Sequence, residues 1–334
     1  MRFNRKMSKV YFSEDLDKIL ETIDYSKLGK NVAIKVHFGE KGCTTYLDPE
    51  IAKKVYEKII SLGKKAALVD CNVLYKGSRT NTTDHIKTAK EHGFGFAPID
   101  ILDGELGEEF IEVNGCKIGA GIKKYDSMIV LTHFKGHGET GYGGAFKNIG
   151  MGLGSRAGKL QMHGDLKLSV IKEKCIGCGV CKAHCNYGAI EIINGKAEIN
   201  QEKCVGCSMC VAVCEQRAVN LPWAEVASEK VQKRIIDYAE SVLRLVPNQI
   251  FISVLKNITP ECDCWDIVQK PVMADIGFLY SEDIVSIDKA SLYLANKKSE
   301  GNFDKINSVN KNIQVDYAYE KKLGEKEYEL IELK

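Results

Sequence analysis

Eight of the thirteen cysteines fall into two copies of one spacing, C-x2-C-x2-C-x3-C: Cys175, Cys178, Cys181 and Cys185, then Cys204, Cys207, Cys210 and Cys214. Four thiolates are what a cubane iron–sulfur cluster requires, and in two-cluster ferredoxins the last cysteine of each run ligates the other cluster. The spacing therefore predicts two 4Fe-4S clusters, one on Cys175, Cys178, Cys181 and Cys214 and one on Cys204, Cys207, Cys210 and Cys185. Gly177, Gly179 and Gly206 suit loops that turn tightly and point N–H groups at sulfur. Zinc knuckles use cysteines two at a time rather than in runs of four. Structural disulfides need an oxidising compartment, and the first residues lack the apolar core of an export signal. Asn186 and Glu215 stand where ferredoxin runs usually place proline, which alters the local turn and leaves the ligand set intact.

A second concentration of reactive side chains follows the expected strands, where parallel sheets collect ligands. His37, Glu40, Lys41 and Cys43 follow the first strand, and Asp70, Cys71, Asn72 and Lys76 the second. His133, Lys135, His137 and Glu139 follow the third, ahead of a stretch from Gly136 to Lys159 with nine glycines. That density reads as a loop that lets backbone approach an anionic ligand, or as one that clears the cysteine-rich segment. Lys147, Arg156 and Lys159 would supply countercharge, and His37, His137, Lys147, Asn148 and Arg156 form the candidate catalytic set. It is not a Walker A loop, because Leu160 follows Gly158-Lys159 where Ser or Thr would hold magnesium. Cys262 and Cys264 are either a pair of metal-binding or redox thiolates, a possible extra metal site with His37, His133 or His137, or ordinary buried thiols. Cys43, Cys71 and Cys116 read as packing thiols, and His85 and His92 as surface residues of a helix. His184, beside Cys185, is placed to tune a cluster through a hydrogen bond.

Positioning these groups requires a scaffold, and the chain is long enough at 334 residues to bury a substantial core. Strands are expected at Val32 to Phe38, Ala66 to Cys71, Ser127 to Thr132 and Gln249 to Leu255. Helices are expected at Pro49 to Ser61, Thr83 to His92, Ala224 to Leu245 and, capped by Ser281, from there to Asn296. The alternation predicts an α/β fold, a mainly parallel sheet with helices on its faces, interrupted by a small α+β ferredoxin-like insert. The expected boundaries are 1–168 and 223–334 for the two parts of the α/β domain and 169–222 for the insert. Asn194-Gly195 between apolar alternations predicts a hairpin inside that insert. Lys+Arg 47 against Asp+Glu 45 gives no basic surface for nucleic acid, and no apolar run reaches the ~20 residues of a membrane span. A soluble, cytoplasmic chain is the expectation.

Several blocks together resemble a family of largely uncharacterised iron–sulfur-centre proteins, an α/β domain of unknown function with a ferredoxin-type insert. They are the run from Lys35 to Gly42, the run from Tyr75 to Asn81, Lys135-Gly136-His137, Gly143 to Gly152, Ser155 to Lys159, Cys262-Asp263-Cys264 and Asp275-Ile276-Gly277, with Ser281, Asp283 and Asp288. The resemblance implies cluster binding and a redox role without naming a substrate. Two classes of function follow: an oxidoreductase that passes single electrons to a small anionic ligand held at the strand ends, or an electron carrier between partner proteins. Either implies a redox partner protein.

Overall fold

The computed structural model describes residues 7–164, 167–221 and 227–334. Its centre is an eight-stranded sheet in the order Tyr328–Glu332, Ser8–Ser13, Gly277–Ser281, Asn248–Leu255, Ser127–His133, Asn31–Lys35, Lys65–Asp70, Ile99–Ile101. The strands from Asn248–Leu255 to Ile99–Ile101 run parallel, while Gly277–Ser281 pairs antiparallel with both of its neighbours. The fold is thus α/β with a mostly parallel sheet, as the sequence predicts. Strands from before and after the cysteine-rich segment lie side by side: Val254 is in register with His133 and Ile250 with Ile129.

The central strand Ser127–His133 is buried along its whole length. Its side chains alternate between two cores, as a strand's period of two requires. Met128 and Val130 join Phe146, Ile149, Ile235, Val242 and Ile287 on one face. Ile129 and Leu131 join Leu16, Ile51, Val55 and Ile59 on the other. Helices therefore cover both faces, which explains the nearly unbroken apolar run of the strand.

Local sequence sets the helix starts. Asp48 accepts the Glu50 N–H ahead of Pro49–Ser61, and proline occupies its first position. Asn81 caps Thr82–Glu91. Helix Ser228–Leu245 begins within the expected span, of which 224–226 lie outside the described residues. The cap of Ile284–Lys298 is a correction: Asp283 accepts the Ser286 N–H, while Ser281 ends the preceding strand and donates to the Lys9 carbonyl. Ser281 is two residues too early to reach the first helical turn.

The glycine-dense stretch is the larger correction. It forms a hairpin, Lys135–His137 with Gly141–Gly143, followed by helices Ala145–Leu153 and Arg156–Met162. Its glycines give close packing. A Cβ on Gly136 would lie 2.2 Å from the Pro260 carbonyl oxygen, and one on Gly150 2.3 Å from that of Ile235, where Ala145–Leu153 crosses Ser228–Leu245. The N-terminus of Ala145–Leu153 is closed to an anionic ligand by Asp288, whose carboxylate accepts the N–H groups of Ala145 and Phe146 at 2.6 and 3.1 Å.

Gly150→Ala should therefore lower stability by about 1–3 kcal/mol through overpacking against backbone that cannot swing away. Gly95→Ala, whose added Cβ would lie no closer than 3.7 Å to any neighbour, is the control and should be near neutral. Urea melts of both variants, compared at equal m-value, check this.

Candidate functional site

The carboxyl ends of the parallel strands bring together residues scattered over more than two hundred positions. At the base lies a buried ion pair, Lys35 Nζ to Asp70 Oδ1 at 3.0 Å. Lys35 also donates to Asn148 Oδ1 at 2.9 Å and to the Val36 carbonyl at 2.8 Å. Burial pushes the Lys35 ammonium below its ordinary pKa against the pull of Asp70. Burial would raise Asp70, yet Lys35, His85, Lys159 and Arg79 outweigh it and hold the carboxylate below its ordinary range. Gly152 clears the path, since a Cβ there would sit 2.7 Å from the Lys35 ammonium.

Above this pair, Arg79 links three groups. Its Nη2 donates to the Tyr75 hydroxyl at 2.7 Å, its Nε reaches Glu40 Oε2 at 3.3 Å, and its Nη1 donates to His37 Nε2 at 3.0 Å. Burial and the Arg79 and Lys135 charges hold the His37 imidazole well below its ordinary pKa, so it is neutral. Glu40 is fixed by the Ser78 N–H and hydroxyl and by Tyr75. Burial opposes its ionisation, but Arg79 and these hydrogen bonds keep it ionised.

The segment Cys262-Asp263-Cys264 is held from three sides. Asp263 Oδ2 accepts His133 Nδ1 at 2.8 Å and Lys135 Nζ at 2.6 Å, and its Oδ1 is buried without a hydrogen-bond partner among the described residues. The Asp263 carbonyl takes the Glu40 N–H at 2.8 Å, and the Cys264 carbonyl takes the Tyr75 hydroxyl at 2.9 Å. The ligand atoms of His137, Cys262 and Cys264 lie within 4.8 Å of one another, close enough to hold one metal ion. A hydrogen bond from Cys264, aided by Lys147 and His137, holds Cys262 well below the ordinary thiol pKa against its burial. The same bond pushes Cys264 well above it.

Of the expected set, His37 and His137 stand at this site, and Lys147 acts on both sulfurs and on His137. Asn148 braces the Lys35 ion pair and donates to the Leu131 carbonyl and Thr132 hydroxyl. Arg156 is fully buried, with its Nε, Nη1 and Nη2 on the carbonyls of Leu106, Val73, Leu74 and Thr80. Lys159 donates to the Gly154 carbonyl at 2.6 Å, and His163 pairs with Glu139. Cys43, Cys71 and Cys116 are buried with thiols pushed up by burial, as packing residues should be. His85 is not on the surface: it is fully buried edge-on to Phe38, at 3.7 Å from Asp70. Arg79, Tyr75 and Asp263 stand in the sequence only within the blocks that carry the family resemblance, which assign none of them a role.

In the cysteine-rich segment, Ser169–Val170 pairs with Val219–Asn220, and Ile190–Ile193 with Lys196–Ile199 across a turn with Asn194 and Gly195 at positive φ. One cavity is lined by Cys175, Cys178, Cys181 and Cys214, the other by Cys185, Cys204, Cys207 and Cys210. Backbone N–H groups reach three of the sulfurs at 3.3 Å: Ala197 to Cys175, Ala189 to Cys185 and Ala218 to Cys214. His184 instead hydrogen-bonds the Val180 carbonyl through Nδ1. Glu215, in the place of the usual proline, accepts Lys76 Nζ at 2.6 Å and ties the segment to the loop after Lys65–Asp70. Leu74 and Leu160 from the α/β scaffold share an apolar cluster with Cys175 and Cys210.

No helix among the described residues is long and apolar enough to cross a membrane. Burial holds the His85 imidazole down at about 3. Between roughly pH 6.5 and 3 the unfolded chain therefore binds a proton that the folded chain refuses, so stability falls as pH falls through that window. His85→Gln should flatten the slope of unfolding free energy on pH there by up to about 1.4 kcal/mol per pH unit. Urea titrations of both proteins at several pH values give the comparison.

No curated protein matches the chain. Among solved structures it is similar to the lactate racemase apoprotein from Thermoanaerobacterium thermosaccharolyticum, at 12% identity and a TM-score of 0.37, over 74% of this chain and 50% of that one. It is also similar to a protein from Thermotoga maritima, at 12% identity and a TM-score of 0.33, over 72% of this chain and 48% of that one. The chain thus spans about half the length of each. The domain of unknown function DUF362 matches residues 32–293, which include both cysteine runs and Cys262-Asp263-Cys264, and the chain belongs to that family.

Proposed function

We propose that the chain is a redox enzyme carrying two 4Fe-4S clusters, which passes single electrons to a ligand held at the strand-end loops. Cys175, Cys178, Cys181 and Cys214 would hold one cluster and Cys204, Cys207, Cys210 and Cys185 the other. The observation that carries this reading is that each of the two cavities is lined by three cysteines of one run and the last of the other. Such clusters take up and release one electron at a time.

The donor set fits the group. Four sulfurs on one zinc ion lie roughly 3.8 Å apart for Zn–S bonds near 2.3 Å. Among the described residues, the only group of three or more ligands gathered within 4.8 Å is His137, Cys262 and Cys264, so both quartets are too open for a single ion. The N–H groups of Ala197, Ala189 and Ala218 would stabilise cluster-bound thiolates. Gly177 has φ of +70°, and a Cβ there would lie 2.2 Å from the Gly195 carbonyl oxygen, so the hairpin can close over the first cavity only because residue 177 is glycine.

The two quartets differ in surroundings. Cys178 is exposed between Ile176 and Val180, which are 65% and 40% accessible and suit a redox partner's apolar contact. Cys210 is buried, and Cys207 and Cys210 act on Arg156 of the scaffold. Electrons would enter at the first quartet and leave from the second.

Protein purified without oxygen should contain eight iron and eight sulfide per chain and show two interacting reduced centres by electron paramagnetic resonance. Cys207→Ser should remove four irons and leave a single isolated signal. Colourless, iron-free or zinc-loaded protein would sink the reading.

A further inference from the structure

We propose that Cys262 and Cys264 are a redox dithiol, an internal two-electron acceptor for the two clusters; this rests on the cluster reading. The gathering of His137, Cys262 and Cys264 admits two chemistries, a metal ion or a thiolate pair, and the orientation of His137 separates them. A ligating imidazole keeps its proton on the second nitrogen and gives it to an acceptor. His137 does the reverse. Its Nδ1 accepts the backbone N–H groups of Glu139 and Thr140 at 3.1 and 3.2 Å, so the proton of the neutral ring sits on Nε2. That leaves Nε2–H to donate to Cys262.

The remaining neighbours agree. The Cys264 N–H lies 3.4 Å from Cys262 Sγ. Lys147 makes no hydrogen bond or ion pair among the described residues, and its charge acts on both sulfurs. A histidine donor, a backbone N–H and a free ammonium around one sulfur are what activates a thiolate. The Asp263 clamp to His133 and Lys135 holds the two cysteines in place, and a disulfide across one intervening residue is strained and hence readily reduced.

Three consecutive residues connect this pair to the cysteine-rich unit. Leu74 packs in the cluster with Cys210, the Tyr75 hydroxyl donates to the Cys264 carbonyl, and Lys76 donates to the Ala212 carbonyl and Glu215. The step balances: each reduced cluster loses one electron, the Cys262–Cys264 S–S bond breaks, and the two electrons with one proton from solvent give the Cys262 thiolate beside the Cys264 thiol, the reduced dithiol form of the pair. Two one-electron donors thus match one two-electron acceptor.

The full-length protein, poised without oxygen in dithiothreitol redox buffers, acid-quenched, unfolded and alkylated, tests this by the mass of the peptide bearing both cysteines. The expected result is one two-electron transition between unalkylated disulfide and doubly alkylated dithiol. His137→Gln should shift its equilibrium constant about tenfold toward the disulfide, roughly 30 mV. This measurement does not depend on the clusters. When oxidised protein is then reduced with dithionite, dithiol should form at least tenfold more slowly in Cys207→Ser and in Cys178→Ser than in the unaltered chain. A peptide that is doubly alkylated at every potential, or a divalent metal released by Cys262→Ser, overturns the dithiol. Equal rates in the unaltered chain and both cluster variants overturn its coupling to the clusters.

Discussion

The carboxylate of Asp263 fixes the geometry on which the site depends. It lies fully buried between the two cysteines and takes His133 and Lys135, both from the end of the central strand and the hairpin that follows it. Burial disfavours the charged carboxylate, and these two partners outweigh it. Removing one partner of a buried pair typically costs about 3–5 kcal/mol, because the remaining charge is left uncompensated. The loop from Cys262 to Cys264 is therefore anchored to the end of the central strand and the hairpin after it. Glu40 and Tyr75, delivered by two other strand ends, then meet it through backbone bonds.

What the sequence discloses is whatever local spacing encodes. The cysteine spacing marks two quartets in the sequence, and in the structure three cysteines of each run line one cavity with the last of the other. Helix Pro49–Ser61 was legible to the residue from its cap, its proline and its apolar period. The Asn-Gly turn marked its hairpin. These signals need no knowledge of distant neighbours.

The glycines and cations of 136–159 show the opposite case. Composition alone cannot separate a glycine that frees a loop from one that admits a neighbouring backbone, and Gly150 is explained only by Ile235, far along the chain. Charge likewise announces Arg156 without announcing that backbone carbonyls surround it. His85 looked solvated on a polar helix with mixed periodicity, yet the turn bearing His85, Thr88 and Ala89 is the one that faces the sheet. Strand Gly277–Ser281 is only five residues long and directly precedes a helix cap, so its pattern merged with that of the helix.

Charge pairing then decides what this site can accept. Lys35 is matched by Asp70, Arg79 by Glu40, and Lys135 by Asp263, each pair sharing a buried contact of 3.3 Å or less. His37 is held neutral between cations, and burial with Lys147 lowers the His137 pKa. Among the described residues around the two sulfurs, Lys147 is the charge left without a counterion. In a site shielded from water such a charge acts over several ångströms with little screening. It therefore favours a negative group beside Cys262, whether the sulfur's own thiolate or the anionic end of a bound molecule, and it disfavours a second cation there. Lys35, Arg79 and Lys135 are each matched by a carboxylate, so the preference for an anion rests on the Lys147 side chain rather than on the glycine-rich backbone before it.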